Sequence, residues 1–377
     1  MKTVGIICEY NPFHNGHRRQ IQLIRANYGE DCTVVCLMSG NYVQRGAPAI
    51  VDKSIRAKAA VLSGADLVLE LPVTAALSSA EGFAAGGVRI LSNFCDALCF
   101  GTESMTKAAL FQTAEALLSP RFSQLLKEEI TSGCSFPSAR QRALEQMGIT
   151  SDLSNPNDIL GLEYTKAILS QHPSMEIIPI FREGSYHAQE LDFRAPSATA
   201  IRKALLSGGD WKNAVPEVTV PLLQNASIHT LEAGERAILS KLRTMTDEAF
   251  EQLPYGSEGL WRKLMKACRS EDSLCAIINS TQSKRYTRTR IDRMILCAFL
   301  GLTEKDLGTL PSKIRVLAFT DRGRKVLRGH DCFCNAGEAV DETEKRIGSL
   351  YGLFAVAGIE PPDVEEKRRI YYHQENV

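Results

Sequence analysis

The chain has 377 residues, enough for two domains, and its 44% hydrophobic content supports a sizeable core without help from disulfides or metals. Lys+Arg and Asp+Glu both number 44, which excludes a surface that is basic all over, so a nucleic-acid contact has to be a local patch. Eleven cysteines, no apolar run near the roughly 18 residues of a membrane span, and no signal peptide ahead of the short apolar run 4–8 predict a cytoplasmic protein with reduced thiols.

In chain order, apolar runs at 4–8, 33–38, 65–71, 97–100 and 176–181 alternate with helical patterns near 15–27, 53–63, 75–91, 106–118 and 158–170. Strands separated by helices imply βαβ units, so the first half is expected to be an α/β domain with a five-stranded parallel sheet covered on both faces. The segment 121–147 reads as further helix inserted before the fifth strand. A helix is expected from Ser197 to Leu206 and is broken by Gly208-Gly209. Beyond it the pattern is mostly helical, with one apolar run at 314–319 ahead of the turn Asp321-Arg322-Gly323. The division is therefore 1–208, a nucleotide-binding domain, and 209–377, a mainly helical one. No internal repeat or low-complexity tract is evident.

The cysteine pairs Cys32/Cys36, Cys95/Cys99 and Cys332/Cys334 approach metal-ligand spacing. None belongs to a CxxC…CxxC arrangement, and buried free thiols are the reading taken, with no metal assigned.

The chemistry begins where the first strand ends. Asn11-Pro12 signals a turn, and His14 and His17, three apart on a first helical turn, point to one side with Gly16 between them. A helix N-terminus offers unpaired N–H groups and a favourable dipole to an anion, and two imidazoles beside it suit the charge of a reacting triphosphate. Metal ligation and incidental surface histidines stand as alternatives. Downstream, Ser197, Thr199 and Arg202 open another helix, where they either hold phosphate or simply cap it.

The His-x-Gly-His arrangement after a first strand resembles the signature of the nucleotidyltransferase branch of the Rossmann-like HUP superfamily, and Ser197-Ala198-Thr199-Ala200-Ile201-Arg202 resembles its second motif. The longer match is narrower. Glu9 through His17, Met38-Ser39-Gly40-Asn41, Gln44-Arg45-Gly46, the stretch from Gly64 to Pro72, Phe100-Gly101-Thr102-Glu103, Asn155-Pro156-Asn157 with Leu160-Gly161, and Lys284-Arg285-Tyr286-Thr287 together resemble the bacterial tRNA(Met) cytidine acetate ligases.

That resemblance implies a Rossmann-like (HUP) fold and a two-step reaction. Acetate attacks ATP to give acetyladenylate and pyrophosphate, and the acetyl group passes to N4 of the wobble cytidine of elongator tRNA(Met). Carried over by position, His14 and His17 are catalytic. ATP is bound by Ile7, Cys8, Glu9, Tyr10, Asn11, Pro12, Phe13, His14, Asn15, Gly16, His17, Arg18, Arg19 and Gln20, with Gly101, Asn157, Arg182, Ser197, Thr199 and Arg202. The family often has Asn where this chain has Asp158, which puts the neighbouring Asn157 in question. Mg²⁺ is expected with the ATP. Asp66, Glu70 and Glu103 near strand ends either hold it or cap helices.

The expected tRNA surface is Lys284, Arg285, Tyr286, Arg288, Arg290 and Arg293, with cations for phosphates and a ring for stacking. Arg322, Arg324, Lys325 and Arg328 form a second basic run, and solvated faces are the alternative for both. A small-molecule adenylyltransferase using the same N-terminal motifs is the second functional reading, and a non-catalytic nucleotide-sensing or RNA-binding module the third.

Overall fold

The computed structural model describes residues 2–133, 136–150, 153, 155–181, 196–328, 330–334, 341–362 and 367–374. Five parallel strands form the centre: β1 (Thr3–Cys8), β2 (Thr33–Ser39), β3 (Leu67–Leu71), β4 (Ala97–Thr102) and β5 (Glu176–Phe181), side by side in the order β3-β2-β1-β4-β5. β2 and β3 are buried throughout and β1 and β4 nearly so, as an all-parallel sheet requires, while β5 at the edge is buried only at Ile177 and Ile178. Side chains therefore divide by alternation. Ile7, Val35, Leu37, Leu69 and Leu98 enter the core on one face, and Val4, Ile6, Val34, Cys36, Val68 and Cys99 the core on the other. The helices Asn15–Tyr28 (α1), Lys53–Leu62, Ala80–Leu91, Lys107–Leu118 and Pro156–Gln171 lie close to the segments expected for them.

The sheet does not stop at five strands. Ile314–Thr320 (β6) pairs antiparallel with β3, Phe333–Cys334 (β7) pairs with β6, and Tyr371–His373 (β8) adds a parallel strand outside β6. The run 314–319 is legible as an apolar segment, but its place beside β3 is fixed by pairing with a strand far away in sequence. The helices Glu235–Thr244, Leu260–Ser270, Leu274–Thr281 and Arg288–Leu300 enclose a separate core around Leu242, Leu264, Ile277, Ile295 and Phe354, which also takes in Tyr42, Val73 and Leu77. Contact between the two parts is close. A Cβ on Gly46, whose φ is +81°, would stand 2.4 Å from the Arg293 amide, so only glycine suits this point of the hairpin 42–48. Among the described residues no helix is long and apolar enough to cross a membrane.

Five cysteines of the suggestive pairs, Cys32, Cys36, Cys95, Cys99 and Cys334, are buried, and Cys332 is half-buried. Burial pushes the Cys99 thiol up to about 12 and the Cys95 thiol well above its ordinary value, which leaves them unreactive as nucleophiles.

Arg56 organises the strand ends. It is 1% exposed, and its guanidinium donates to the carbonyls of Val51 (3.0 Å), Glu9 (2.7 Å), Ser39 (3.0 Å) and Gly40. It thereby joins the chain leaving β1, the chain leaving β2 and the approach to the next helix. Arg56→Met should lower stability by about 3–5 kcal/mol, since it strands these buried carbonyls. The shift in urea unfolding midpoint measures this, and a loss below about 1 kcal/mol would show that water can replace the guanidinium.

Candidate active site

A cleft of about 560 Å³ opens at the C-terminal ends of β1, β4 and β5, where ligands bind in open parallel sheets. The volume suits a small-molecule substrate. Its floor is the turn after β1. Tyr10 there has φ +45°, unusual for a bulky residue, and is held by full burial, a 3.2 Å contact between its hydroxyl and Cys36 Sγ, and an edge-to-face contact with Phe13. Asn11 is fixed from both sides: its Oδ1 accepts from the Ile50 amide (2.7 Å) and its carbonyl from Arg202 (2.7 Å).

His14 is the N-cap of α1, and the two histidines form a reciprocal capping box. The Gly16 amide donates to Nδ1 of His14 (3.1 Å), and the His14 amide donates to Nδ1 of His17 (3.2 Å). A nitrogen that accepts carries no proton, so each neutral ring holds its proton on Nε2. The rings stack with centroids 3.6 Å apart, and both line the cleft. Capping consumes one edge of each ring and fixes its orientation.

The second helix N-terminus faces the same cleft. Ser197, buried, caps the helix Ala198–Ser207 by accepting from the Ala200 amide (3.1 Å), while Thr199 accepts from Arg202 (3.1 Å). The capping and ligand-facing readings of this segment are therefore divided among its residues: Ser197 caps, and Thr199 and Arg202 stand in the cleft wall with it. Phe100, Leu160, Tyr164, Ile180 and Phe181 give the cleft an apolar part of its lining.

Of the residues expected at the nucleotide site, Ile7, Cys8, Glu9, Tyr10, Asn11, His14, Gly16, His17, Arg19, Gln20, Gly101, Asn157, Ser197, Thr199 and Arg202 line the cleft. Pro12, Phe13, Asn15 and Arg18 do not. Phe13 packs in the core, and the Asn15 amide group instead donates to the Asn213 carbonyl (2.9 Å). Arg182 lies outside the described residues.

The unusual Asp158 is fully buried and does not line the cleft. Its carboxylate accepts from the amides of Glu103 (2.8 Å), Ser104 (3.0 Å) and Met105 (3.3 Å) and from the Ser104 hydroxyl (2.6 Å). Burial alone would raise its pKa, but these donors outweigh it and hold it low. It thus clamps the loop after β4, and Glu103 of that loop accepts from Asn157 (2.5 Å). Acid at this position supports Asn157 rather than displacing it. The carboxylate choices resolve likewise: Asp66 pairs with Arg25 (2.9 Å) and Glu70 with Lys53 (2.7 Å). Neither lines the main cleft, whose carboxylates are Glu9, Glu232 and Asp292.

The basic cluster splits. Tyr286 is only 9% exposed and its hydroxyl donates to the Glu258 carbonyl (2.6 Å), so the ring packs in the core and offers no stacking face. Arg290 donates to the Tyr255 carbonyl and pairs with Glu258 (3.3 Å), as exposed Arg285 does (3.2 Å). Arg293 lies over the Tyr255 ring and donates to the Gln44 carbonyl (3.5 Å). Lys284 is exposed. Arg288 alone of the six lines the cleft, beside Asp292, a neighbour that charge counting had passed over. In the second run Arg322 is drawn inward to the Glu30 carbonyl (2.5 Å), while Arg324, Lys325 and Arg328 stay exposed.

Residues 1–335 match the family described as HIGH Nucleotidyl Transferase. Among curated proteins, the chain is 35% identical over 355 residues to the tRNA(Met) cytidine acetate ligase of Acetivibrio thermocellus, covering 87% of this chain and 85% of that one. It is 37% identical over 350 residues to that of Caldanaerobacter subterraneus, covering 87% and 86%. Among solved structures, apo Thermotoga maritima TmcAL superposes with TM-score 0.88 at 28% identity, and the same protein bound with alpha-thio ATP with TM-score 0.83 at 29% identity, each covering 100% of both chains. Carrying the capped His14–His17 pair and matching these proteins over most of its length, the chain belongs to the tRNA(Met) cytidine acetate ligase family of HIGH nucleotidyl transferases.

Proposed function

We propose that the protein uses ATP to activate acetate as acetyladenylate, with release of pyrophosphate, and transfers the acetyl group to N4 of the wobble cytidine of elongator tRNA(Met), releasing AMP. The observation that carries this reading is the convergence of two helix N-termini, two oriented imidazoles and Arg202 on one cleft. Attack by one anion on another is limited by their repulsion and by positioning, and fixed donors answer both without a covalent enzyme intermediate.

In this reading the imidazoles of His14 and His17 and the positive end of the α1 dipole meet the charge at the α-phosphate, while Thr199 and Arg202 meet the outer phosphates. The base lies between Gly101 and the apolar lining, with Asn157 as a polar contact. Arg182, known from sequence alone, keeps its proposed place at the phosphates. Mg²⁺ typically arrives with the nucleotide, held by phosphates, water and one or two carboxylates. Among the described residues no cluster of three or more ligand side chains forms a cage. Glu9, the cleft carboxylate next to β1, would hold a metal carried in by ATP, and such a metal would add charge neutralisation. In the second step the N4–acetyl bond forms as the acetyl–phosphate bond breaks, the electron pair leaving with AMP and one N4 proton passing to solvent. Residues 1–208 hold the nucleotide in this division, and 209–377 supply the tRNA contacts; a tRNA substrate fits work in the cytoplasm. The reading of a small-molecule adenylyltransferase is disfavoured because similarity to the acetate ligases spans 87% of the chain, the helical region included.

His17→Ala should reduce acetate-dependent ATP–pyrophosphate exchange by about 10²–10³-fold. Binding of tRNA, followed by filter retention, should persist; loss of binding with exchange intact would overturn the assignment. Arg285→Ala removes an exposed cation and should weaken tRNA binding while lowering the salt slope by about 1. Exchange without tRNA should be unchanged, and an unaltered salt slope would remove Arg285 from the phosphate contacts.

A further inference from the structure

We propose that Arg288 and Asp292 read the Watson–Crick edge of the wobble cytosine, Asp292 accepting from the N4 amino group and Arg288 donating to N3 and O2. The proposal rests on the ligase reading given above and names the residues that select the base. The two stand one turn apart on the helix Arg288–Leu300, and both line the cleft that also holds His14 and His17. Arg288 Nε donates to both carboxylate oxygens of Asp292, at 2.8 and 3.0 Å. Among the described residues its two terminal nitrogens take no partner, and the Arg288 side chain is 50% exposed against 15% for Asp292. The pair is thus an oriented acceptor beside unspent donors, at a cleft wall that solvent can reach.

Its placement is firm. The close approach of Gly46 to the Arg293 amide, and the bond from Arg293 to the Gln44 carbonyl, fasten this helix turn to the hairpin 42–48. That hairpin is itself cleft wall, and its Gln44 amide donates to Glu9 (2.8 Å) on the floor. A base meeting Arg288 and Asp292 therefore enters a site whose geometry is tied to the nucleotide turn.

The chemistry selects the base. Cytosine presents a donor at N4 and acceptors at N3 and O2, and a carboxylate accepting from N4 is a recurrent way to read it. Uracil presents the reverse at two of these positions, an acceptor at O4 and a donor at N3. Against this pair, O4 faces a carboxylate and N3–H faces a guanidinium, and neither contact forms a hydrogen bond. The half-buried setting of Asp292 sharpens the contrast, because a carboxylate facing O4 there is rehydrated only in part.

The test compares two anticodon stem-loops, with cytidine or uridine at the wobble position, titrated by fluorescence anisotropy with a non-hydrolysable ATP analogue present. The wild type should bind the cytidine stem-loop about ten-fold or more tightly than the uridine one. Asp292→Leu should erase the preference without weakening the uridine complex, and Asp292→Asn, close in shape, should narrow it. A preference kept in both variants, or absent from the wild type, overturns the proposal. Damage to the fold is recognised because it weakens both stem-loops together in Asp292→Leu but spares Asp292→Asn, whose preference then decides the matter. Transfer of labelled acetate into tRNA by the wild type is measured alongside. No transfer defeats the ligase reading and this inference with it, whereas transfer combined with an unchanged preference defeats the inference alone.

Discussion

The site depends on a cation that never meets solvent. Arg56 is buried at the C-terminal edge of the sheet, and its four hydrogen bonds all go to main-chain carbonyls. Burial lowers its pKa, and the nearby Asp52 and Glu9 charges oppose that shift. A guanidinium has the right shape for this task. Its planar fork meets several carbonyls at once, and it keeps its charge where an ammonium would lose a proton. By joining the backbone at Glu9 to that at Ser39 and Gly40, it fixes where the turn after β1 begins. Everything from Tyr10 to His17 is built outward from that anchored point.

From the anchor the turn rises through Tyr10, kept at positive φ by burial, to the paired histidines. Strain in the backbone and capping by imidazole are two parts of one arrangement: the strained turn places His14 at the N-cap, and the cap settles which ring nitrogen is protonated. A serine cap would satisfy the Gly16 amide as well, but its single O–H sits on the capping atom itself, close to the backbone. Histidine at N-cap and N3 carries its N–H on the ring edge away from the cap, near the positive end of the helix dipole, where negative charge is favoured. The identity of the residues is thus tied to the task in a way helix stability alone does not require.

Much of this was legible because it is local. Two-sided burial of parallel strands writes itself as continuous apolar runs, and the His-x-Gly-His and Ser-x-Thr–Ile-Arg segments each open a helix that the sequence pattern already marks. What escaped was set by distant partners. β6 reads as a strand, but nothing near residues 314–320 says that β3 is its neighbour. Asp158 read as a departure that weakened Asn157, because the loop amides it binds come from a segment far earlier in the chain. The cluster 284–293 read as one basic surface, yet a helix turns successive residues to different sides. Arg290 therefore spends its donors on 255–258, Tyr286 sinks into the core and Arg288 reaches the cleft.

That scattering also bears on how two substrates are brought together. Two molecules that must react in sequence at one acetyl group gain little from separate rigid sites, because transfer needs the reacting atoms to approach within about 3–3.5 Å. Here the two halves of the chain are not separate bodies joined by a linker. β6 is hydrogen-bonded into the nucleotide sheet, Tyr42 and Val73 are buried in the helical core, and Gly46 lets the hairpin touch the helix that carries Arg288. Such interlocking trades freedom of movement for a fixed distance between the turn bearing the histidines and the helix bearing the arginine. With the function proposed above, a neutral chain needs only a few exposed cations to attract a tRNA, because alignment at the cleft is supplied by the fold itself.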